Sequence, residues 1–126
     1  MMESRIILIA EDDPLGRELL GEILRSAGYA VVEAGDGAEA VSAYEAHPPD
    51  LAILDIQMPK LDGFQVLQRL RRLPGAPRRP LVAVSAHALQ GDRERALALG
   101  FDEYMTKPLE IALLRQRIAE LLDTGK

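Results

Sequence analysis

Residues 51–64 read LAILDIQMPKLDGF, and this stretch places a carboxylate directly after an apolar run of strand length. Four apolar residues precede Asp55, and Met58-Pro59 soon follows, where neither a strand nor a helix continues easily. A short run that is apolar throughout is typical of a strand buried on both faces of a parallel sheet. The pattern therefore predicts a buried strand that ends at the rim of a sheet and leaves its carboxylate there.

Strand-like and helix-like segments alternate along the rest of the chain. The strands are short and apolar, and the helices carry apolar residues at spacings of three and four. The predicted strands are Arg5–Ala10, Tyr29–Ala34, Leu51–Asp55, Pro80–Ser85 and Phe101–Met105. The predicted helices are Pro14–Ala27, Gly37–Ala46, Gly63–Arg72, Ala88–Leu99 and Leu109–Leu122. Five such units predict an α/β protein with a doubly wound, parallel five-stranded sheet between two layers of helices.

The first helix carries clear signals at both ends. Asp13 followed by Pro14 is an N-cap with proline at the first helical position, and Gly28 takes the place of a left-handed C-terminal cap. We therefore assign Asp13 to capping rather than to metal binding, and Asp62-Gly63 likewise to a turn and a helix cap. The apolar residues of this helix are predicted to form one inward face. They are Leu15, Leu19, Leu20, Ile23, Leu24 and Ala27.

Composition excludes several classes of function. The 126 residues suit one domain, and a content of 48% hydrophobic and 28% charged residues is typical of globular proteins. No apolar run approaches the roughly 20 residues of a membrane span, and the N-terminus lacks the features of a secretory signal, so we expect a cytoplasmic protein. The absence of cysteine excludes disulfides and thiolate chemistry. The net charge of −5 argues against nucleic acid as the main partner.

One basic cluster stands apart from this acidic balance. No aromatic residues interleave with its arginines, so stacking on nucleic-acid bases is not expected. The cluster is either a solvated helix end or a docking patch for an acidic partner. Its members are Arg69, Arg71, Arg72, Arg78 and Arg79.

Polar side chains follow the predicted strands at the points where the strands end. In open parallel sheets, ligands bind beyond these carboxyl ends. The residues at this edge are Glu11, Asp12, Asp55, Ser85 and Lys107. Three neighbouring carboxylates repel one another unless a cation is present, and oxygen-only ligands suit a hard divalent ion such as Mg²⁺. Because lysine adds a point charge suited to phosphate, the set predicts a site where a phosphoryl group is put on, or taken from, a carboxylate.

Four short motifs occur in a fixed order along the chain. They are AEDD at 10–13, LDIQMPKLDG at 54–63, SAHA at 85–88 and YMTKP at 104–108. Together they resemble the receiver domain of bacterial two-component response regulators (CheY-like), over essentially the whole chain. The resemblance implies a flavodoxin-like strand order of 2-1-3-4-5 and a single receiver domain over residues 1–126. Only DTGK follows Leu122, so we expect no output domain, as in stand-alone regulators and in the receivers of hybrid kinases.

The resemblance also implies the chemistry of the site. Asp55 would be the nucleophile that takes a phosphoryl group from a phosphohistidine on a sensor histidine kinase or a histidine phosphotransfer protein. Glu11, Asp12, Asp55 and the backbone carbonyl of Gln57 would hold Mg²⁺ or Mn²⁺. The side chain of Gln57 also lies where it would reach the water that attacks during hydrolysis, so the sequence leaves the phosphoryl lifetime open.

Three further residues are implied to sense the phosphoryl group. Lys107, whose bond to Pro108 is expected to be cis, would pair with the acceptor before transfer and with a phosphoryl oxygen afterwards. Ser85 would bind another phosphoryl oxygen, and Tyr104 would swing inward as it does so. His87, near Ser85, is more simply an exposed loop histidine.

Output is expected through a partner protein that binds the face of helix four, strand five and helix five. The first turns of helix four, residues 90–95, carry no apolar anchor, so we expect them to be weakly held. The protein would be a monomer or a phosphorylation-dependent dimer, with no direct contact to nucleic acid or membrane.

Other functions remain open beside a phospho-acceptor switch that is not itself an enzyme. One alternative is a receiver that relays phosphate onward or serves as a phosphate sink. Another is a small Mg²⁺-dependent phosphohydrolase, although Gln57 stands where such enzymes have a second acid. A degenerate receiver that only binds partners is a third, and it would be expected to lack Asp55 or Lys107, both of which are present.

Overall fold

The computed structural model describes residues 4–75, 78–86 and 91–124. The strands are β1 (Ile6–Ala10), β2 (Ala30–Ala34), β3 (Leu51–Asp55), β4 (Leu81–Ser85) and β5 (Glu103–Thr106). The helices are α1 (Pro14–Ser26), α2 (Gly37–Ala46), α3 (Gly63–Arg71), α4 (Asp92–Leu99) and α5 (Ile111–Thr124). The predicted start of helix four at Ala88 lies outside the described residues, as does His87. No helix in the described ranges is long and apolar enough to cross a membrane.

All five strands are parallel and follow the order β2-β1-β3-β4-β5. The central strand β3 pairs with β1 through Ile7 and Leu51 and with β4 through Asp55 and Val84. The predicted doubly wound fold and its strand order are therefore confirmed. The strand order reverses beside β1 and β3, and this is where a crevice forms beyond the carboxyl ends of such sheets.

The core lies on both faces of the sheet, as the apolar strands predict. Every residue of β3 and β4 is buried. On one face Leu8 and Leu54 pack in a cluster with residues of α2, α3 and α4. On the other face Ile7 and Ile53 pack with residues of α1 and α5. Alternate residues of each central strand thus serve opposite layers, which is the packing of a sheet covered on both sides.

The predicted helix caps are present. The Oδ2 atom of Asp13 accepts a hydrogen bond from Gly16 N–H at 3.3 Å, and Pro14 begins α1. Asp62 and Gln65 exchange hydrogen bonds in a capping box at the start of α3, each at 2.9 Å. Both acids therefore satisfy backbone groups at helix ends, as the sequence indicated.

The predicted inward face of α1 is wrong for two of its leucines and for Ala27, which is exposed and lies just past the end of the helix as its C-cap. Leu20 and Leu24 are buried against the sheet, whereas Leu15 is 63% exposed and Leu19 is 51% exposed. Successive helical residues are turned by about 100°, which places Leu19 about 100° and Leu15 about 140° away from Leu20. Residues linked by successive spacings of three and four spread over too wide an arc of the helix to share one face. Leu15 and Leu19 instead form a separate exposed apolar strip.

The arginine cluster does not act as one unit. Arg71 is half-buried and donates to the backbone oxygens of Arg79 at 3.0 Å and Gly100 at 3.1 Å, and to Asp102 Oδ2 at 3.3 Å. It therefore ties the end of α3 to the loops before β4 and β5. The exposed members are Arg69, Arg72 and Arg78.

Candidate functional site

Asp55 ends β3 with its side chain buried at the rim of the sheet, and the residue is 4% exposed. Its Oδ1 accepts a hydrogen bond from Gln57 N–H at 2.8 Å, and its Oδ2 lies 2.6 Å from Lys107 Nζ. Both carboxylate oxygens are therefore held in place by donors from different parts of the chain. The prediction that the apolar run delivers Asp55 to this rim is confirmed.

The loop after β3 turns back sharply beside Asp55. Ile56 N–H makes the last ladder bond, to Val84 O at 2.9 Å, and Ile56 O then accepts from Gly63 N–H at 3.0 Å. A Cβ atom on Gly63 would lie 2.8 Å from Asp55 O, which is closer than real side chains come. Because only glycine fits there, α3 begins directly against the end of β3.

Two further acids, from the loop after β1, reach the same place. Carboxylate oxygens of Glu11, Asp12 and Asp55 all lie within 4.8 Å of one another. Glu11 is 6% exposed, whereas Asp12 is exposed. The Glu11 backbone is fixed on both sides, because its N–H donates to Ala34 O at 3.1 Å and its carbonyl accepts from Arg17 Nη1 at 2.8 Å.

Lys107 brings the cation of the site from the loop after β5. Its ammonium group pairs with Asp55 and also with Glu11, a contact that the sequence did not predict. Burial acts to lower the pKa of Lys107, but the hydrogen bonds to Asp55 and Glu11 outweigh it, and the pKa lies above its usual value. The bond to Pro108 is cis, as expected. Three carboxylates and one ammonium leave a formal charge of −2.

Ser85 ends β4 and is buried, and the side chain of Gln57 contacts it. The Nε2 atom of Gln57 lies 3.1 Å from Ser85 Oγ, and its Oε1 lies 3.3 Å from the same oxygen. Ala86 N–H donates to Gln57 Oε1 at 3.4 Å. The sequence placed only the main chain of Gln57 at the metal site and its side chain near the attacking water. The contact with Ser85 was missed because no pattern along the chain pairs these residues.

Tyr104 lies in the apolar cluster beneath α4 and is 6% exposed. Its ring is thus already inward, and its role as a moving switch stays a prediction. Its backbone carbonyl accepts from Arg93 Nη1 at 3.0 Å, which ties α4 to β5.

A cleft opens onto the acidic site beside the exposed strip of α1. Its volume is about 340 Å³, and it is bounded by α1 on one side and by the start of the loop to α5 on the other. Apolar side chains of Leu19, Ile23 and Pro108 line it together with Asp55 and Lys107. The Asp55 carboxylate therefore lies beside an apolar wall of this cleft.

A second buried carboxylate, Glu103, lies on β5 outside this site. Its Oε1 is 3.1 Å from Arg93 Nη2, and its Oε2 is 2.5 Å from Arg117 Nη2. Tyr104 N–H also donates to Oε1, at 2.9 Å. Burial acts to raise the pKa of Glu103, but the bonds from Tyr104 and Arg117 prevail, and the pKa lies below its usual value. The sequence analysis did not identify this cluster, and the signal that could have found it is an acid inside the predicted fifth strand, Phe101–Met105.

The chain is thus a doubly wound α/β protein with a cluster of three carboxylates beyond the carboxyl ends of its parallel strands. Residues 7–119 match the family model of the response regulator receiver domain. The chain belongs to this family. Receiver domains of this family act in two-component signalling as phospho-acceptor switches.

Individual relatives place such a domain in different contexts. An uncharacterized 14.6 kDa protein of Leptolyngbya boryana is 40% identical over 104 residues, which are 82% of this chain and 79% of that protein. The sensor histidine kinase RcsC of Salmonella typhimurium is 34% identical over 117 residues, or 93% of this chain. The chain spans only 12% of the length of RcsC.

Among solved structures, the receiver domain of the sensor histidine kinase PA1611 from Pseudomonas aeruginosa is similar throughout. The TM-score is 0.87 at 34% identity, and the match covers 96% of this chain and 99% of the other. That receiver domain has a magnesium ion coordinated in its active site cleft.

Proposed function

We propose that Asp55 accepts a phosphoryl group from a phosphohistidine on a sensor histidine kinase or a histidine phosphotransfer protein. The observation that carries the proposal is the cluster at the rim of the sheet. A buried carboxylate is gathered there with two other acids and one lysine, and the cluster keeps a formal charge of −2. Such a surplus of like charge is costly for a purely structural role, and it suits a site that receives a cation and a phosphoryl group.

The donor set fits a hard divalent cation. All side-chain ligands are carboxylate oxygens, one of them exposed and two buried, and the charge of −2 matches Mg²⁺ or Mn²⁺. Glu11, Asp12, Asp55 and the backbone carbonyl of Gln57 would hold the ion. When bound, it supplies positive charge to the phosphoryl oxygens during transfer.

The residues of the chain itself supply the nucleophile and its orientation. An Asp55 oxygen attacks the phosphorus, a P–O bond forms as the P–N bond breaks, and the imidazole leaves and takes a proton from water. Gln57 N–H keeps the carboxylate in one orientation. Lys107 stays protonated because the pKa is raised, so its ammonium group can move from Asp55 to a phosphoryl oxygen.

The donor would approach along the cleft beside α1. The exposed side chain of Leu19 lines this cleft, and exposed Leu15, one helical turn earlier, extends an apolar surface that the sheet does not use. A helix of the kinase or the phosphotransfer protein would cover these leucines and bring its phosphohistidine to Asp55.

Phosphorylation would then change the surface of α4, β5 and α5. The added charge and acceptor oxygens favour a state in which Ser85 and Lys107 close on the phosphoryl group, with Tyr104 as the switch. A downstream protein would bind that surface in the cytoplasm. The amide of Gln57 favours a switch over a phosphohydrolase, because a hydrolase would need an acid at that position. Relay of the phosphoryl group onward is the remaining alternative.

The test is incubation with Mg²⁺ and acetyl phosphate, followed by intact-mass measurement. We expect one base-labile phosphate on the wild-type protein and none on Asp55→Asn. The variant Asp123→Asn, which changes an exposed acid of α5, should be phosphorylated like the wild type. Phosphate retained in Asp55→Asn would refute the proposal, and multiple turnover of varied phosphate esters would favour the hydrolase instead.

A further inference from the structure

The side chain of Gln57 lies between the ends of β3 and β4 and contacts both Ser85 and the residue after it. Its amide is within 3.1 to 3.3 Å of Ser85 Oγ through Nε2 and Oε1, and Oε1 also accepts from Ala86 N–H at 3.4 Å. Its backbone N–H meanwhile donates to Asp55 Oδ1 at 2.8 Å. One residue therefore joins the acceptor carboxylate to the hydroxyl that is expected to close on its phosphoryl group.

The Ser85 hydroxyl cannot donate a hydrogen bond to Gln57 and to a phosphoryl oxygen at the same time. A hydroxyl has a single proton to donate, so donation to Gln57 Oε1 competes with donation to a phosphoryl oxygen. The burial of Ser85, which is 1% exposed, strengthens this competition, because little water can reach the hydroxyl to replace a lost partner, whereas Gln57 itself is exposed. The Gln57 amide contacts this hydroxyl, so the hydrogen bond from Ser85 to Gln57 must break before Ser85 donates to a group on Asp55.

We propose that Gln57 is a positioning residue that holds Ser85 in the unphosphorylated arrangement and so opposes closure of the switch. This inference rests on the proposed phosphorylation of Asp55. A charged phosphoryl oxygen is a stronger acceptor than a neutral amide, so phosphorylation still displaces Gln57. The amide sets how far closure is favoured, both before and after the phosphoryl group arrives.

The expected size of the effect follows from a two-state equilibrium. A ligand that requires the closed state binds with an affinity reduced by the fraction of protein in that state. Loss of one neutral hydrogen bond that favours the open state should raise that fraction, and hence the apparent affinity, by about three- to tenfold.

The test replaces Gln57 by Met, which keeps the length of the side chain and removes the amide. The probe is beryllofluoride, a phosphoryl analogue, added with Mg²⁺ and followed by NMR of backbone amides. We expect Gln57→Met to bind the probe about three- to tenfold more tightly than the wild type. In the protein without Mg²⁺ or probe, the Ala86 amide resonance should already be displaced toward its probe-bound position. The exposed residue Gln68, replaced by Met in a control variant, should change neither result.

A double-mutant cycle shows whether the effect passes through Ser85. In a Ser85→Ala background, Gln57→Met should no longer tighten binding of the probe. An equal gain in that background, or no gain in the wild-type background, would overturn the role of Gln57. Failure of the wild-type protein to bind the probe at all would instead refute the proposed function, so the two failures are distinguishable.

Discussion

Two clusters of buried charge lie in different parts of the molecule and have opposite compositions. At the rim of the sheet, three carboxylates share one ammonium group, that of Lys107. On β5, one carboxylate, that of Glu103, is shared by two guanidinium groups, those of Arg93 and Arg117. Both clusters contain acids that are less than a tenth exposed.

The two clusters differ in the sign of their excess charge and in whether that charge is exposed to water. The arginines of the β5 cluster are partly exposed, so water solvates the surplus positive charge while the buried acid is fully paired. At the rim, two buried acids share one lysine and so keep one negative charge, to which the exposed Asp12 adds a second. The buried acid of the β5 cluster is therefore fully paired, whereas the rim cluster keeps a negative charge that an added cation would neutralise.

The strongest way to separate the two clusters is to remove the single cation at the rim. In Lys107→Met, Glu11 and Asp55 stay buried without a partner ammonium group, and we expect the free energy of unfolding to fall by about 3 kcal/mol in the presence of a chelator. Urea denaturation measures it. Lys60→Met, which removes a lysine 68% exposed, should cost about 0.5 kcal/mol or less.

Added Mg²⁺ sharpens this result. The ion should stabilise Lys107→Met more than the wild type, because no ammonium group competes for the same carboxylates. Equal stability of Lys107→Met and the wild type without divalent ions would contradict the view that the rim cluster lacks positive charge.

The next effect concerns the completed cluster on β5. Glu103→Gln removes the negative charge that Arg93 and Arg117 share and replaces one of its two acceptor oxygens by an NH2 donor, and we expect a loss of about 1–3 kcal/mol in the free energy of unfolding. Mg²⁺ should not alter this loss. The control is Glu120→Gln, whose side chain is 48% exposed and pairs with Arg117 at the surface.

The pH dependence of this loss has a definite sign. Because the pKa of Glu103 is lower in the folded protein than the usual 4.5, its contribution is complete above pH 4.5 and is lost as the pH falls through the folded pKa. The difference between the wild type and Glu103→Gln should therefore shrink below pH 4.5. A difference that stays constant down to low pH would show that the carboxylate is not paired as described.

The smallest effect has the opposite direction. Asp12→Ala removes the exposed acid of the rim cluster, and relief of repulsion should stabilise the protein without divalent ions by about 0.5 kcal/mol. The same change should abolish both stabilisation by Mg²⁺ and phosphorylation by acetyl phosphate. Its neighbour Asp13 caps α1, so Asp13→Ala should instead destabilise by about 1 kcal/mol. Undiminished phosphorylation of Asp12→Ala would remove Asp12 from the metal site.

The fold could be predicted from the sequence because the signals that specify it are local. Apolar runs, the proline after Asp13 and the capping box at Asp62 each act within a few residues, and the strands lie within three residues of their predicted bounds. The error at Leu15 and Leu19 has a different origin. Periodicity shows that a helix has apolar residues, but the angle at which it packs on the sheet decides which of them are covered.

The candidate site could be predicted from the sequence only in part, for a related reason. Position after a strand was enough to gather Glu11, Asp12, Asp55 and Lys107, because parallel strands end at one edge. It did not reveal which acid Lys107 pairs with besides Asp55, nor the contact of Gln57 with Ser85. Contacts between side chains that are distant along the chain depend on their rotamers and on the local space, and the order of residues specifies neither.

The sequence by itself determined the order of the elements, the buried strand that ends at Asp55 and the set of polar residues beyond the strand ends. Each of these follows from periodicity, caps and the geometry of parallel sheets. Only the tertiary structure decided how the charges divide. It gave Lys107 two acids and Glu103 two arginines, because the balance of charge in a buried cluster depends on every element that packs against it.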